Sequence, residues 1–368
     1  MKIVISGGGT GGHIYPALTI AQEIKSIEPQ AEIIFVGTAQ GLEKNIVPRY
    51  GFPLKFITVA GFERHFSFGT LKSLWKLLLG LKEARSLLKA LKPDLVIGTG
   101  GYVCGPVLFW AAQMGIPTCV QEQNAMPGVT NRILSYFVRA ICLGYQEGAK
   151  YFKGKARQVF TGNPVRQEIL ADNREAGLSF FGLDEHKKTL LVFGGSRGAR
   201  SINTAMVEVE KQLAGRSDVQ VLHATGELDF EQHKAQVGEE TFTADNIKIL
   251  PYIHEMPLAL SLADVAVSRA GAIGLAELLV KGVPTILIPY PYATANHQEY
   301  NARAVEAAGA AIVILDKELT GDALRQEVER LLVRPEALTS MHEAAQRLSK
   351  PQAAKVIAET ALQLIKTN

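Results

Sequence analysis

The stretch Gly7-Gly8-Gly9-Thr10-Gly11-Gly12-His13 lies between an apolar run, Ile3–Ile5, and a segment with helical periodicity, Ile14–Ile27. A strand, a glycine turn and a helix in this order form a phosphate-binding loop, because glycine lets a ligand approach the backbone and the helix N-terminus offers unpaired N–H donors. His13 ends the turn, and histidine is the side chain that exchanges protons near neutral pH. The stretch therefore predicts an α/β fold whose substrates carry phosphate and whose chemistry moves a proton.

Composition and charge narrow the class of protein. The 368 residues are enough for two domains with separate cores. Cys104, Cys119 and Cys142 lack metal-ligand spacing and indicate reduced thiols in a cytosolic setting. The chain enters a strand at once, so we expect no signal peptide, and no apolar run has membrane-spanning length.

The charge is unevenly distributed along the chain. Residues 1–163 carry 18 lysines and arginines against 9 aspartates and glutamates, whereas the remainder carries 21 against 27. A basic half suits nucleic acid, an anionic membrane or an anionic substrate. Nucleic acid is disfavoured because aromatic and basic residues do not interleave as they do in RNA-binding motifs.

Apolar runs alternate with helical patterns throughout, which predicts parallel sheets covered by helices on both faces. The runs are too many for one sheet, and a glycine turn recurs at Gly194–Ser196. We therefore predict two doubly wound Rossmann-like domains facing a cleft that holds the ligands. Residues 1–163 form the first domain and 164–345 the second, and the C-terminal helix within 346–368 packs back on the first. The strands are predicted at 2–6, 32–36, 54–59, 95–99, 118–121, 140–144, 158–161, 189–193, 219–223, 247–250, 265–268, 285–289 and 311–315.

The spacing of Gly7, Gly9 and Gly12 matches the dinucleotide fingerprint, but that fingerprint also needs an acid at the end of the second strand. Val36-Gly37-Thr38 stands there and Glu32 lies at the wrong end, so a nicotinamide dehydrogenase is disfavoured. Similar turns occur at Gly98–Tyr102 and Gly194–Ala199. A single glycine turn of this kind can occur without a ligand. Three such turns at strand ends, two in the first half of the chain and one in the second, indicate two phosphorylated ligands.

Polar residues follow other predicted strands. Gln121–Asn124 suits sugar hydroxyls, or alternatively caps a helix before Pro127. Arg166, at the domain boundary, suits a diphosphate. Glu277 stands among apolar neighbours and needs donors such as ribose hydroxyls. Asn296–Gln298 places further polar residues at the predicted start of a helix.

Together these segments resemble the MurG-type UDP-N-acetylglucosamine transferases of glycosyltransferase family 28, over nearly the whole chain. The matching segments are Gly8–His13, Gly100–Val103, Glu122–Asn124, Gly162–Arg166, Gly194–Ala199, Arg269–Ala272 with Glu277, and His297-Gln298 with Asn301-Ala302. Cys104 and Gln121 depart from the usual serine and histidine, and Cys104 weakens any claim that a hydroxyl there binds phosphate. The resemblance implies a GT-B fold and inverting transfer of N-acetylglucosamine to the muramyl 4-hydroxyl of undecaprenyl-pyrophosphoryl-MurNAc-pentapeptide, which converts lipid I to lipid II. UDP-N-acetylglucosamine is the donor, without bound metal or cofactor.

The resemblance also implies roles for individual residues. His13 is the first candidate for the catalytic base and Glu122 its rival, while the alternative for His13 is to shape the loop. Gly100, Gly101 and Tyr102 are expected at the acceptor diphosphate. The residues expected at UDP-N-acetylglucosamine are Thr10, Gly11, Gly12, Asn124, Arg166, Ser196, Ile253, Ala272, Ile273, Gly274, Leu275, Ala276, Glu277 and Gln298.

An aromatic loop, Phe62–Phe68, leads into a helix, Leu71–Leu91, whose apolar surface is wider than a core-facing stripe and has a basic flank. This pattern suits an anionic membrane surface, although a crossover helix packed on a neighbour is the alternative. The candidate membrane residues are Phe66, Phe68, Trp75, Leu79, Lys72 and Lys76. We expect a peripheral protein on the cytoplasmic face of the bacterial cell membrane, with roles in cell wall biogenesis, cell shape, cell cycle and cell division and with other cell-wall synthesis proteins as further partners.

Two other functions remain open at this stage. Another GT-B UDP-sugar transferase acting on a glycolipid or a small aglycone has the same architecture. An epimerase of this build needs carboxylates over the sugar, and the sequence shows no clear set beyond Glu122.

Overall fold

The computed structural model describes residues 1–59, 68–195 and 198–366, with the helical backbone alone for 68–74. The described residues form two compact units, one within 1–165 and 350–366 and the other within 166–349. Ser196 and Phe66, which the sequence assigned to the donor and the membrane, lie outside the described residues, as do the side chains of Phe68 and Lys72.

The first unit contains a seven-stranded parallel sheet in the order β3-β2-β1-β4-β5-β6-β7. Its strands are β1 (Lys2–Gly7), β2 (Glu32–Gly37), β3 (Leu54–Phe56), β4 (Leu95–Gly100), β5 (Thr118–Glu122), β6 (Ala140–Leu143) and β7 (Arg157–Phe160). Its helices are α1 (Gly11–Ile27), α2 (Glu43–Ile46), α3 (Phe68–Leu91), α4 (Cys104–Gln113), α5 (Val129–Leu134) and the C-terminal helix (Ala353–Lys366), with 3-10 turns at Val47–Tyr50 and Gln146–Tyr151.

The two faces of this sheet carry separate cores, because neighbouring strand residues point to opposite sides. On one face, Ile3 and Ile5 pack with α1 and with Ile357 and Ala361 of the C-terminal helix. On the other face, Val4 packs with residues of α3 and α4. The C-terminal helix thus supplies part of the cover that the first sheet needs.

The second unit contains a six-stranded parallel sheet in the order β10-β9-β8-β11-β12-β13. Its strands are β8 (Lys188–Phe193), β9 (Val219–Ala224), β10 (Ile247–Leu250), β11 (Val265–Ser268), β12 (Thr285–Leu287) and β13 (Ala311–Val313). Its helices are α6 (Gln167–Leu170), α7 (Arg174–Phe181), α8 (Arg200–Leu213), α9 (Phe230–Val237), α10 (Glu239–Phe242), α11 (Met256–Leu262), α12 (Ala272–Val280), α13 (His297–Ala307), α14 (Gly321–Leu332) and α15 (Pro335–Leu348), with a 3-10 turn at Thr294–Asn296.

The prediction of two doubly wound parallel sheets is confirmed, and every predicted strand is present. The C-terminal ends of β3, β12 and β13 differ most from the prediction. β3 ends at Phe56 rather than residue 59, because only three of its residues pair with β2 and, among the described strands, its other side has no neighbour. In the described part of the chain, no helix combines the length and the apolar character needed to cross a membrane.

Candidate active site

Two glycine loops of the first unit pack directly against each other. In the loop between β1 and α1, Gly9 has a φ of +86°, and in the loop after β4, Gly100 and Gly101 have φ values of +107° and +84°. A Cβ on Gly101 would lie 2.5 Å from the carbonyl oxygen of Gly8, and a Cβ on Gly100 would lie 2.8 Å from Nδ1 of His13. Glycine is therefore favoured at Gly9 by its backbone conformation, and required at Gly100 and Gly101 both for conformation and for close approach.

The tautomer of His13 follows from its neighbour Gln123. Nδ1 of His13 lies 3.2 Å from Oε1 of Gln123. The Gln123 amide nitrogen donates instead to the carbonyl oxygens of Thr99 (2.7 Å) and Gln121 (3.2 Å) and to the side-chain oxygen of Gln121, which fixes the amide orientation. His13 must therefore donate through Nδ1–H when neutral, and the lone pair of its ring is on Nε2.

A chain of amides holds Gln123 in this orientation. Nε2 of Gln121 donates to Oδ1 of Asn163 (3.0 Å), and Nδ2 of Asn163 donates to the backbone oxygen of Gln123 (2.9 Å). All three side chains are buried. Gln121, one of the two departures from the usual family pattern, thus takes part in positioning His13.

Glu122, the other candidate for the base, has both carboxylate oxygens hydrogen-bonded to the loop that follows it. Oε1 accepts from the backbone N–H of Asn124 (2.9 Å) and from its side-chain amide (3.1 Å). Oε2 accepts from the backbone N–H of Gly128 (3.1 Å) and the amide of Asn131 (2.8 Å). This geometry favours a structural role for the Glu122 carboxylate, which holds residues 124–131 in place.

Cys104 begins α4 and turns its thiol toward the backbone. Its Sγ lies 2.8 Å from the oxygen of Ser6 and 2.9 Å from that of Gly100, and it accepts from the Gly100 N–H at 3.2 Å. Burial raises the pKa of Cys104 to about 11, so the group is a neutral thiol. Cys104 therefore ties β1 to the second glycine loop.

The second unit has a glycine loop of its own between β8 and α8. Gly195 and Gly198 have φ values of +91° and +75°, and a Cβ on Gly198 would lie 2.1 Å from the oxygen of Thr225. The loop runs into the first turn of α8, whose N-terminal N–H groups attract anions.

Arg166 and Glu277, which the sequence assigned to separate nucleotide contacts, form an ion pair. Nε and Nη2 of Arg166 each lie 2.9 Å from Oε1 of Glu277. Glu277 is only 7% exposed. Burial raises the pKa of Glu277, and the charge of Arg166 opposes that rise.

The other residues expected at the donor fall into both units. Thr10, Gly11, Gly12 and Asn124 belong to the first unit, beside His13 or Glu122 in the chain. Ile253 is buried after β10, and the first two turns of α12, which begin with Ala272 after Gly271, contain Ile273, Gly274, Leu275, Ala276 and Glu277. Gln298 lies in the first turn of α13, and its Oε1 accepts from the backbone N–H of Tyr290 at 3.0 Å.

Comparison with known protein families shows which family the chain belongs to. Residues 3–143 match the model of the glycosyltransferase family 28 N-terminal domain, and residues 189–357 match that of the glycosyltransferase family 28 C-terminal domain. The chain belongs to glycosyltransferase family 28. The predicted resemblance is confirmed, and the nicotinamide dehydrogenase is excluded.

Relatives within family 28 match almost end to end. The UDP-N-acetylglucosamine--N-acetylmuramyl-(pentapeptide) pyrophosphoryl-undecaprenol N-acetylglucosamine transferase of Thermoanaerobacter sp. (strain X514) is 51% identical over 97% of this chain and 98% of its own length. The transferase of the same name from Acetivibrio thermocellus is 49% identical, covering 100% of this chain and 99% of its own.

Solved structures give the same fold. The crystal structure of Acinetobacter baumannii MurG superposes with a TM-score of 0.79 at 27% identity, over 98% of this chain and 99% of that one. A UDP-GlcNAc 2-epimerase from Neisseria meningitidis bound to UDP-GlcNAc superposes with a TM-score of 0.72 at 13% identity, over 99% and 100% of the two chains, which shows a shared fold alone. The predicted GT-B architecture of the family 28 chain is confirmed.

Proposed function

We infer that this chain transfers N-acetylglucosamine from UDP-N-acetylglucosamine to the muramyl 4-hydroxyl of undecaprenyl-pyrophosphoryl-MurNAc-pentapeptide, converting lipid I to lipid II in peptidoglycan synthesis. The observation that carries this conclusion is the identity of 44–51% with transferases of that name over 96% or more of this chain. The aligned region includes both the first unit, with its two glycine loops and His13, and the second unit, with the Arg166–Glu277 ion pair.

His13 is the base in the proposed reaction. Its Nε2 takes the proton of the acceptor 4-hydroxyl while the oxygen bonds to the anomeric carbon and the bond from that carbon to the diphosphate oxygen breaks. The electron pair leaves with UDP, and attack opposite the leaving group inverts the anomeric configuration. The lone pair on Nε2 supports this role, since a base must present one to the hydroxyl.

The second unit is proposed to hold the donor. The backbone N–H groups of the Gly194–Ala199 loop and the first turn of α8 stabilise the charge that develops on the leaving diphosphate. Glu277 accepts from the ribose hydroxyls, and Arg166 orients its carboxylate and brings positive charge toward the nucleotide. Ile253, the start of α12 and Gln298 complete this proposed site, and Gly100–Tyr102 is proposed to meet the acceptor diphosphate.

A transfer assay tests the function directly. The purified chain is incubated with radiolabelled UDP-N-acetylglucosamine and a short-chain lipid I analogue, and we expect a labelled product that carries one added N-acetylglucosamine. A parallel reaction with the same donor and a non-muramyl glycolipid should give no product. Transfer to the glycolipid alone would replace this function by that of another UDP-sugar transferase.

We also propose that the enzyme associates peripherally with the cytoplasmic face of the cell membrane, and so acts in cell wall biogenesis, cell shape, cell cycle and cell division alongside other cell-wall synthesis proteins. Trp75, Leu78 and Leu79 of α3 are exposed by 70%, 55% and 36%. They lie at helical spacing with Lys82 and Lys89, which are also exposed. An apolar stripe with lysines along it suits an anionic leaflet.

Substitution in this stripe should weaken membrane binding. Burial of a large apolar side chain contributes about 1.5–3 kcal/mol, so Trp75→Glu with Leu79→Glu should lower vesicle affinity by about tenfold or more. Co-sedimentation with vesicles containing phosphatidylglycerol measures it, and binding should fall on vesicles of phosphatidylcholine alone. Val333→Glu, at another exposed apolar residue, is the matched control. Unchanged binding of the double variant to anionic vesicles contradicts the proposal.

A further inference from the structure

Glu43 is a wholly buried carboxylate beneath the Gly7–His13 loop. It is the first residue of α2 and is 0% exposed. Oε2 accepts from the backbone N–H of Gly9 at 2.9 Å. Oε1 accepts from the backbone N–H of Thr38 at 2.8 Å and from its hydroxyl at 2.9 Å. The carboxylate therefore joins the loop after β1 to the loop after β2.

Three glycines make room for this side chain. A Cβ on Gly8 would lie 2.5 Å from Oε1, one on Gly37 would lie 2.5 Å from Cγ, and one on Gly41 would lie 2.1 Å from Oε2. Gly37 is the last residue of β2, Gly41 lies in the turn that follows it, and Gly8 belongs to the loop that carries His13. A side chain at any of these three glycines would therefore collide with the Glu43 side chain.

The charge of Glu43 is held by backbone and hydroxyl dipoles. Burying a carboxylate without hydrogen bonds costs several kcal/mol, and the three donors offset that cost. Among the described residues, no ion pair includes Glu43. Burial is the main cause that raises the pKa of Cys104 to about 11, and the charge of Glu43 adds to it only slightly.

The position of this charge matters for ligand binding. The N–H of Gly9 is one of the donors that a phosphate-binding loop of this type offers. Here that donor is taken by Glu43, and a phosphate brought to Gly8 or Gly9 would meet a like charge. An anionic substrate group must then use other donors, such as the first turn of α1 or the Gly100–Tyr102 loop.

We propose that Glu43 is a positioning residue: its carboxylate is the internal anion of the Gly7–His13 loop, fixing the loop that carries His13 and keeping substrate phosphate away from Gly8 and Gly9. The effect on transfer rests on the function proposed above, whereas the anion site itself does not. The same contact explains why β2 does not end in the acid that the dinucleotide fingerprint requires. The carboxylate of Glu43, six residues after the end of β2, occupies the space beside the glycine loop.

Two substitutions test this role. Glu43→Gln keeps the shape but turns an amide donor toward the Gly9 or Thr38 donors, so kcat for transfer should fall by about tenfold through misplacement of His13. The KM for UDP-N-acetylglucosamine should stay unchanged. Glu43→Ala removes the anion, and formate should restore its kcat saturably while formamide, a neutral molecule of the same shape, should not. Asn45→Ala, exposed on the same short helix, should behave as wild type.

A measurement that does not depend on turnover tests the role of Glu43 independently of the proposed transfer reaction. Formate should raise the melting temperature of Glu43→Ala but not that of wild type, whether or not transfer is detected. Calorimetry with UDP shows that the variants are folded. Wild-type kcat and KM in Glu43→Gln, or equal effects of formate and formamide on Glu43→Ala, would overturn the proposal.

Discussion

Replacing His13 by alanine is expected to lower the turnover number for transfer by about 10²–10⁴-fold, the usual contribution of a positioned general base. The hydrogen bond between Nδ1 and Gln123 leaves the lone pair on Nε2, the atom proposed to take the acceptor proton. Binding of UDP-N-acetylglucosamine should change little, because the nucleotide is proposed to lie on residues 166–298. Single-turnover rates with the short-chain lipid I analogue, together with calorimetry of the donor, measure the two effects separately.

A second variant distinguishes the base from a residue that only shapes the loop. In His13→Asn the amide nitrogen takes a place close to that of Nδ1 and can still donate to Oε1 of Gln123, but nothing replaces Nε2. Turnover should therefore stay as low as in His13→Ala. His186→Ala removes an exposed histidine of the second unit and should retain wild-type turnover. Recovery of turnover in His13→Asn would show that His13 acts through the loop alone.

The fold was largely predictable because its determinants are local. Most of the buried parallel strands lie in short apolar runs, and after β1, β4 and β8 a glycine turn separates the strand from the next helix. Strand ends were less predictable, since pairing with a neighbour decides them. β12 ends at Leu287, where its pairing with both β11 and β13 stops, although the apolar run continues through Ile288.

The functional contacts were less predictable because they join distant parts of the chain. His13 and Gln123 are 110 positions apart, and Arg166 and Glu277 are 111 apart. The sequence indicated Gln123 only as part of the polar run Gln121–Asn124 and of the family-like segment Glu122–Asn124, and nothing in it predicted that the Gln123 amide fixes the His13 tautomer. The sequence did not predict Glu43, because the dinucleotide fingerprint places its acid at the end of the second strand. The sequence signal that could have indicated Glu43 is the pair of glycines at 37 and 41 shortly before it, since small residues leave room for a buried side chain.

The Arg166–Glu277 pair changes how the donor site is interpreted. Each residue alone was expected to contact the nucleotide, yet Arg166 places two nitrogens on one oxygen of Glu277. The pair orients the carboxylate, so that, if Glu277 binds the ribose as proposed, removal of Arg166 should weaken that binding through Glu277. Stability and binding must then be separated, because breaking a buried ion pair is destabilising by itself.

Glu277→Ala is expected to weaken UDP binding by about 10–100-fold, since hydrogen bonds to a charged group contribute about 1.5–3 kcal/mol. Glu277→Gln should lose about tenfold, because a neutral amide accepts more weakly. Burial raises the pKa of Glu277, and in the proposed site the ribose hydroxyls donate to its ionised form. Wild-type affinity should therefore begin to fall on acidification at a higher pH than an ordinary glutamate predicts, and Glu277→Gln should lack that component. Calorimetry between neutral and mildly acidic pH measures both effects.

The ligand supplies the sharper control. If Glu277 accepts from the ribose hydroxyls, wild type should bind UDP more tightly than 2′,3′-dideoxy-UDP, and Glu277→Ala should bind the two alike. A general loss of stability would lower both affinities and leave their ratio unchanged, so the ratio isolates the contact from the ion pair. Glu336→Ala, at an exposed residue of α15, should retain the wild-type ratio. Preserved discrimination in Glu277→Ala would remove Glu277 from the ribose site and leave it as the partner that neutralises Arg166.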